Sequence, residues 1–505
     1  MKDSHKIGST LQRAWLLCAA AAVLAGGVYL NALHNPFIYD DHHAVVDNTS
    51  IHDVTDLRAI VLHDITRPLV NVSYAVDRAV WGEGPFGHHI GSVLLHMLNV
   101  ILLFRLAWLL AGDRGLPPHV PAFTSAALFA VHPMMTEAVG YVSGRSEVLC
   151  TAWFVLALLC GRQWIKAGSQ KGGARWAALT VLFWIAACAS KETAAVFPMV
   201  LIAMDWLIGE DVAGFRRRLL RLYLPVLAVA VAAGVVRLLI LRFEYQGRVA
   251  FHWPYILVEL DVLRRYIGLL IAPAGQTLFH SVAAIPSLLA PRALAGIAAL
   301  AFMLVLAWRI RRAAGAASLG IVWFLFALAP SSALAVLDQG EPMAEHRVYL
   351  ASAGFFLAAG VGAAHLDAWL QRYGNRARWA GGAMMGAVLL SLFVQTLVRN
   401  AVWSDPIQVW QESVDLAPMH YRPRLLLGEA LADKGRRAEA IVQYRIAIRL
   451  RPADMDGYLK LAVVLTETGQ VVEARQALRQ ALAVDPTNET AQKALTFLNN
   501  MGPVS

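Results

Sequence analysis

The chain has 505 residues, of which 58% are hydrophobic and only 16% charged, with a mean hydropathy of +0.52. A soluble protein of this length carries about 25% charged residues, so a purely soluble globular fold is excluded. The formal charge of +9 does not mark a nucleic-acid binder, because the basic residues form no soluble patch interleaved with aromatics.

Apolar runs recur up to about Val398, and after Asn400 the chain becomes a mixed polar sequence with regular Ala, Leu and Arg. This divides it into a polytopic membrane domain, 1–400, and a C-terminal domain, 401–505. Spans are expected near 14–34, 91–111, 119–136, 147–165, 176–190, 193–209, 220–242, 291–310, 317–336, 348–366 and 379–398. The first has the basic flank and Ala-rich stretch of a signal peptide. It continues through Val28-Tyr29-Leu30 without a good small-x-small cleavage site, so it reads as an uncleaved span. Residues 254–273 read as an interfacial or re-entrant helix, because Glu259, Asp261, Arg264 and Arg265 interrupt the apolar run. The expected fold is all-α, a polytopic membrane protein of about 11 transmembrane helices.

Charge orients these spans. With the N-terminus cytoplasmic, the inner loops carry Arg162, Lys166, Lys171 and Arg175, then Arg216, Arg217, Arg218 and Arg221. They continue with Arg309, Arg311 and Arg312, then Arg372, Arg376 and Arg378. The opposite loops hold single cations, Arg145, Lys191 and Arg347. The same count puts the C-terminus outside. Cys18, Cys150, Cys160 and Cys188 all lie in apolar runs and read as membrane-core residues.

Pro418, Pro452 and Pro486 recur every 34 residues, the period of the tetratricopeptide repeat. Between them Gly428, Leu431, Gly435, Ala440, Tyr444 and Ala447 have counterparts at the same offsets in the next unit. Full repeats are expected at 421–454 and 455–488, with a partial unit from Trp410 to Pro418. Such an α-solenoid presents a surface to a peptide or protein. A structural cap on the membrane domain is the alternative.

The outer loops collect the chemistry. Asn35-Pro36-Phe37-Ile38-Tyr39-Asp40-Asp41-His42-His43 follows the first span directly. An Asp pair at a membrane edge is costly unless it faces water, a cation or a substrate. The same face receives Arg67, His88 and His89, then His132, Glu137, Arg145 and Glu147. Lys191 and Glu192 follow, and later Glu341, Glu345, His346 and Arg347. Carboxylates and cations from separate loops suit a site that binds an anionic head group and deprotonates an acceptor. Lys191 and Glu192 read equally well as a solvated turn, and His132 as an interfacial histidine. His42-His43 has no reliable metal spacing.

Several strings then carry a resemblance: Tyr39-Asp40-Asp41, Arg67-Pro68-Leu69, His132-Pro133 with Thr136-Glu137-Ala138, and Gly144-Arg145 with Glu147. Ser190-Lys191-Glu192 and Glu345-His346-Arg347-Val348-Tyr349-Leu350 with Ser352 complete the order. Collinear and followed by repeats, they resemble the GT-C membrane glycosyltransferases, with the closer likeness to O-mannosyltransferases that carry tetratricopeptide repeats. The short repeat array departs from that pattern, as does Glu147 where relatives often show Asp.

The resemblance implies inverting transfer from a polyprenyl-phosphate-linked sugar to a hydroxyl of a protein, glycan or lipid. Asp40 or Asp41 would be the catalytic base. Arg67, His132, Glu137, Arg145, Lys191, Glu192, Glu345, His346 and Arg347 would bind the donor phosphate and sugar. A leaving group with one phosphate does not demand a metal, so no cofactor is expected, with a divalent ion as the alternative. The acceptor protein would dock on the repeats. A bacterial inner membrane with a periplasmic active face is expected. A transporter would show midplane charges, broken helices and repeated halves. A repeat scaffold would need one span.

Overall fold

The computed structural model describes residues 2–167, 172–209, 212–224, parts of 226–239, 253–336 and 342–500. All regular secondary structure among these residues is helical. The chain divides into two compact units, Met1–Gln276 with Val282–Ser404, and Asp405–Ser505 with Thr277–Ser281.

The first unit contains α1 (Lys2–Gly27), then α2 (Leu57–His63) and α3 (Pro68–Trp81) in the loop before α4 (Pro85–Gly112). After these come α5 (His119–Val131), α6 (Arg145–Ala167), α7 (Gly173–Cys188), α8 (Phe197–Ile208) and α9 (Val212–Arg218). It ends with α10 (Trp253–Ile271), α11 (Pro291–Ile310), α12 (Gly315–Val336), α13 (Tyr349–Leu370) and α14 (Asn375–Val402). Among the described residues, six stretches are long and apolar enough to cross a membrane: Leu11–Ala32, Pro85–Gly112, Val142–Ala167, Pro291–Ile310, Glu345–Tyr373 and Asn375–Val402. His119–Val131, Gly173–Cys188 and Gly315–Pro330 are apolar but shorter. This is a multi-pass integral membrane protein.

The expected span at 193–209 contains a helix of only 12 residues, α8. That is about 18 Å of rise against an apolar bilayer core of about 30 Å. The expected span at 220–242 lies partly outside the described residues. α10 is one continuous helix of 19 residues and is not among the six.

Glycines bring the bundle helices together. A Cβ at Gly320 of α12 would lie 2.4 Å from the Gly354 carbonyl of α13. One at Gly360 of α13 would lie 2.1 Å from Ser125 Oγ of α5. Small residues permit such backbone approach where lipid offers no hydrophobic drive between helices. Some polar groups inside the bundle pair with one another. His96 Nδ1 lies 2.7 Å from the Tyr349 hydroxyl, and Asn99 donates to the Val148 carbonyl at 2.8 Å.

α4 and α6 separate two charged ends. At one end of α4, His89 bonds the Asn35 carbonyl at 2.9 Å. At the other, Asp113 accepts from Arg162 of α6 at 2.6 Å. The 28 residues of α4 place these ends about 42 Å apart. Asp205, which accepts from Arg218 at 2.8 Å, lines one cavity with Asp113, Arg162 and Lys166.

The second unit contains α15 (Pro406–Leu416), α16 (Tyr421–Asp433), α17 (Arg437–Leu450), α18 (Met455–Glu467), α19 (Val471–Val484) and α20 (Glu489–Asn500). α15, α17 and α19 each end two residues before one of the spaced prolines, which cannot continue a helix. Gly435 and Gly469 both take φ of +76° in the turns between paired helices, a conformation that glycine adopts without strain. Gly428 faces the Tyr444 ring, which a Cβ would meet at 2.6 Å. Thr277 Oγ1 lies 2.9 Å from Ser413 Oγ, and the Phe279 and His420 rings are 4.4 Å apart, which ties the 277–281 segment into this unit.

Candidate active site

The first loop turns at Tyr39, whose φ of +54° is the only positive value at a non-glycine among the described residues. Holding a bulky residue there costs on the order of 1–3 kcal/mol. The next two residues enter opposite surroundings: Asp40 is exposed and Asp41 is 1% exposed.

Asp41 Oδ1 accepts from the Ser143 N–H at 2.7 Å and the Ser143 hydroxyl at 2.8 Å. Its Oδ2 accepts from the Ile38 N–H at 3.2 Å. Burial pushes its pKa up to about 7, although these hydrogen bonds pull it down. Asp40 donates its backbone N–H to the Tyr141 hydroxyl at 3.0 Å and lines a cavity of about 380 Å³.

Arg67, Lys191 and His346 line the same cavity. Arg67 caps the start of α3, Lys191 sits in the turn after α7, and His346 lies in the 3-10 turn before α13. Each has a carboxylate partner. Arg67 Nη2 donates to Glu192 at 3.1 and 3.3 Å. Lys191 Nζ is 2.9 Å from Glu147 Oε1 and donates to Ser146 Oγ at 3.4 Å. His346 Nδ1 bonds Glu137 Oε1 at 2.5 Å, while Glu137 Oε2 accepts the Glu345 N–H at 3.0 Å. Glu345 Oε2 accepts from Gln276 at 2.7 Å, and Gln276 also donates to the Pro133 carbonyl at 3.1 Å. Burial disfavours the Glu192 carboxylate, but the Arg67 and Lys191 charges outweigh it and hold its pKa below the usual value.

Of the residues expected from sequence, Asp40, Arg67, Lys191 and His346 meet at the cavity. Asp41, Glu137, Glu192 and Glu345 stand behind it as supports. Arg347 is half-buried on the same turn as His346 and is not among the lining residues. Glu341 lies outside the described residues.

Arg145 and His132 are not brought to the cavity. Arg145 is 1% exposed, pairs with Asp77, donates to Ser92 Oγ at 3.1 Å and to the His88 carbonyl, and packs 4.8 Å from the Tyr74 ring centre. That surrounds its guanidinium with protein partners. His132 Nε2 bonds the Leu270 carbonyl at 3.1 Å, and its Nδ1 accepts the Met134 N–H at 3.2 Å, so both ring nitrogens are engaged.

Sequence reasoning missed Tyr141, Ser143, Asn71 and Gln276. Tyr141 and Ser143 do flank the Gly144-Arg145 string, but neither residue type at a span end signals chemistry. No group of three or more His, Cys, Asp or Glu is placed to share a metal ion among the described residues. The arrangement offers an exposed carboxylate as a proton acceptor and, on the same cavity wall, two cations and an imidazole each held by a carboxylate partner.

A TPR repeat family matches residues 428–469. Protein O-mannosyl-transferase TMTC1 of Homo sapiens is 25% identical over 89% of this chain and 57% of its own length. Protein O-mannosyl-transferase TMTC4 of Mus musculus is 25% identical over 87% and 67%. The chain thus spans about three fifths of the length of such curated relatives. Among solved structures, ArnT from Cupriavidus metallidurans bound to undecaprenyl phosphate aligns over 92% of this chain and 79% of that chain, with 15% identity and a TM-score of 0.39. By sequence, this chain is similar to protein O-mannosyl-transferases over most of its length, and it carries a tetratricopeptide repeat.

Proposed function

We propose that this chain is a GT-C-type membrane glycosyltransferase that moves a sugar from a polyprenyl-phosphate carrier to a hydroxyl of a protein acceptor. The observation that carries this reading is Asp40, exposed to a cavity whose wall holds Arg67, Lys191 and His346. Its similarity to protein O-mannosyl-transferases supports mannose as the sugar. The repeat unit would dock the acceptor.

In this mechanism the Asp40 carboxylate takes the acceptor hydroxyl proton as the oxygen attacks the anomeric carbon. The bond from that carbon to the phosphate oxygen breaks, and its electron pair leaves with the lipid phosphate, inverting the centre. The departing phosphate gains a second negative charge, which Arg67 and Lys191 would neutralise. Asp41, turned away from the cavity and bonded to Ser143, would fix the loop that presents Asp40.

The proposed topology has a cytoplasmic N-terminus, and the cavity and repeats on the periplasmic side of a bacterial inner membrane. The basic Asp113–Arg162–Lys166 cluster at the far end of α4 and α6 supports this orientation.

Asp40→Asn tests the reading in membranes supplied with labelled polyprenyl-phosphate mannose and a hydroxyl-bearing acceptor. Transfer should fall by about 10²–10⁴-fold, the range of a lost general base, with donor binding unchanged within threefold. A wild-type rate in this variant would sink the assignment.

A further inference from the structure

A second charged cluster lies apart from the cavity, on α10 and the first turn of α11. Asp261, whose side chain is fully buried, accepts from three arginines. Its Oδ1 takes Arg264 Nε at 3.0 Å and Nη2 at 2.7 Å. Its Oδ2 takes Arg265 Nε at 3.0 Å, and Arg292 Nε at 3.1 Å and Nη2 at 2.6 Å. The arginine side chains remain 42%, 31% and 37% exposed.

A structural ion pair is complete with one arginine. The second and third add repulsion on the order of 1 kcal/mol per pair near water. The cluster therefore carries a net charge of +2. A guanidinium has five N–H groups. These five bonds to Asp261 leave most of the N–H groups on the three guanidiniums with no acceptor among the described residues.

The surroundings point to lipid. Arg292 opens α11, a candidate span with a mean hydropathy of 2.1 whose apolar window is only 22% buried. Leu288, Leu289, Leu294 and Ile297 around that end are all exposed. Five residues beyond Asp261, about 7.5 Å along α10, Tyr266 donates its hydroxyl to the Ala344 carbonyl at 2.7 Å. Ala344 directly precedes the Glu345-His346 turn, so the cluster lies at the same end of the unit as the cavity.

We propose that Arg264, Arg265 and Arg292, gathered by Asp261, bind the phosphate group of a membrane lipid whose chain lies along the exposed apolar side of α11. Asp261 holds the three guanidiniums together, and their remaining edges supply the charge-assisted hydrogen bonds that a phosphate takes. The site does not depend on the transfer reaction. A phosphate monoester such as a polyprenyl phosphate matches the charge in full, and a phospholipid diester matches half of it.

Native mass spectrometry of the full chain in detergent, titrated separately with undecaprenyl phosphate, phosphatidylglycerol and uncharged dioleoylglycerol, tests this. The double variant R264Q/R265Q is the informative one, because it keeps the Arg292 pair and so does not strand the buried Asp261 carboxylate. Wild type should retain one more phosphate-bearing lipid than the variant, whose affinity should be at least tenfold weaker. Dioleoylglycerol should be retained by neither, and R264K/R265K should restore part of the binding. Preference for undecaprenyl phosphate assigns the site to the carrier, and equal or greater retention of phosphatidylglycerol assigns it to phospholipid. Undiminished phosphate-lipid retention in R264Q/R265Q, at an unchanged unfolding temperature, overturns the proposal. So does retention of dioleoylglycerol equal to that of the phosphate lipids.

Discussion

Asp40 and Asp41 are one peptide bond apart and sit in different surroundings. The first is exposed at the cavity, while the second is enclosed by Ile38 and Ser143. With its folded-state pKa raised to about 7 from about 3.9 in an unfolded chain, Asp41 binds more protons folded than unfolded between those values. Its contribution to stability is therefore greatest below about pH 4 and is lost as pH rises through 7. The loss amounts to about 4 kcal/mol at about 1.4 kcal/mol per unit. Unfolding midpoints of wild type should fall across that window relative to Asp41→Asn. Parallel profiles for the two proteins would refute the assignment. The Asp pair was legible in the sequence as a costly feature at a membrane edge. Which member faces the cavity was not, because that rests on Tyr39 φ and on Ser143, about a hundred residues away. Arg145 and Arg67 were likewise indistinguishable as outer-loop cations. Asp77 and Ser92 enclose the first, and Glu192 holds the second at the cavity.

At the scale of elements, the close crossing of α12 and α13 rests on glycine. A Cβ at Gly354 would lie 2.7 Å from the Gly320 carbonyl and 2.9 Å from Trp323 Cγ. Gly362, on the same helix, has nothing within 4 Å. Gly354→Ala should cost about 1–3 kcal/mol as an overpacked contact, whereas Gly362→Ala should be neutral or stabilising by up to about 1 kcal/mol. Equal losses in thermal stability would show that the crossing is not set by these glycines. Hydropathy located α12 and α13 well but could not pair them, because an all-apolar helix has no periodic face to read. The repeat helices were easier. Their prolines and glycines mark the ends of every pair, and each helix packs mainly on its neighbours in sequence.

At the scale of the whole molecule, α4 and α6 set two charged ends apart. The proposed orientation predicts that alkaline phosphatase, active only outside the cytoplasm, is active when fused after Ser505 and inactive when inserted at Gly172, between α6 and α7. The reverse pattern would overturn the topology. Among the described residues six stretches reach spanning length, and α8 falls short of the expected span. A hydropathy window counts apolar residues wherever they lie, whereas the Glu192–Val196 turn occupies part of that run. Membrane residence, the break near residue 400 and the 34-residue period are properties of consecutive residues, so the chain states them unaided. The cavity depends on Asp40, Arg67, Lys191 and His346 arriving from four separate segments. Their partners Glu192, Glu147 and Glu137 differ from other carboxylates only in what they touch. Burial and pairing are long-range quantities, and only the packed bundle sets which charge meets which.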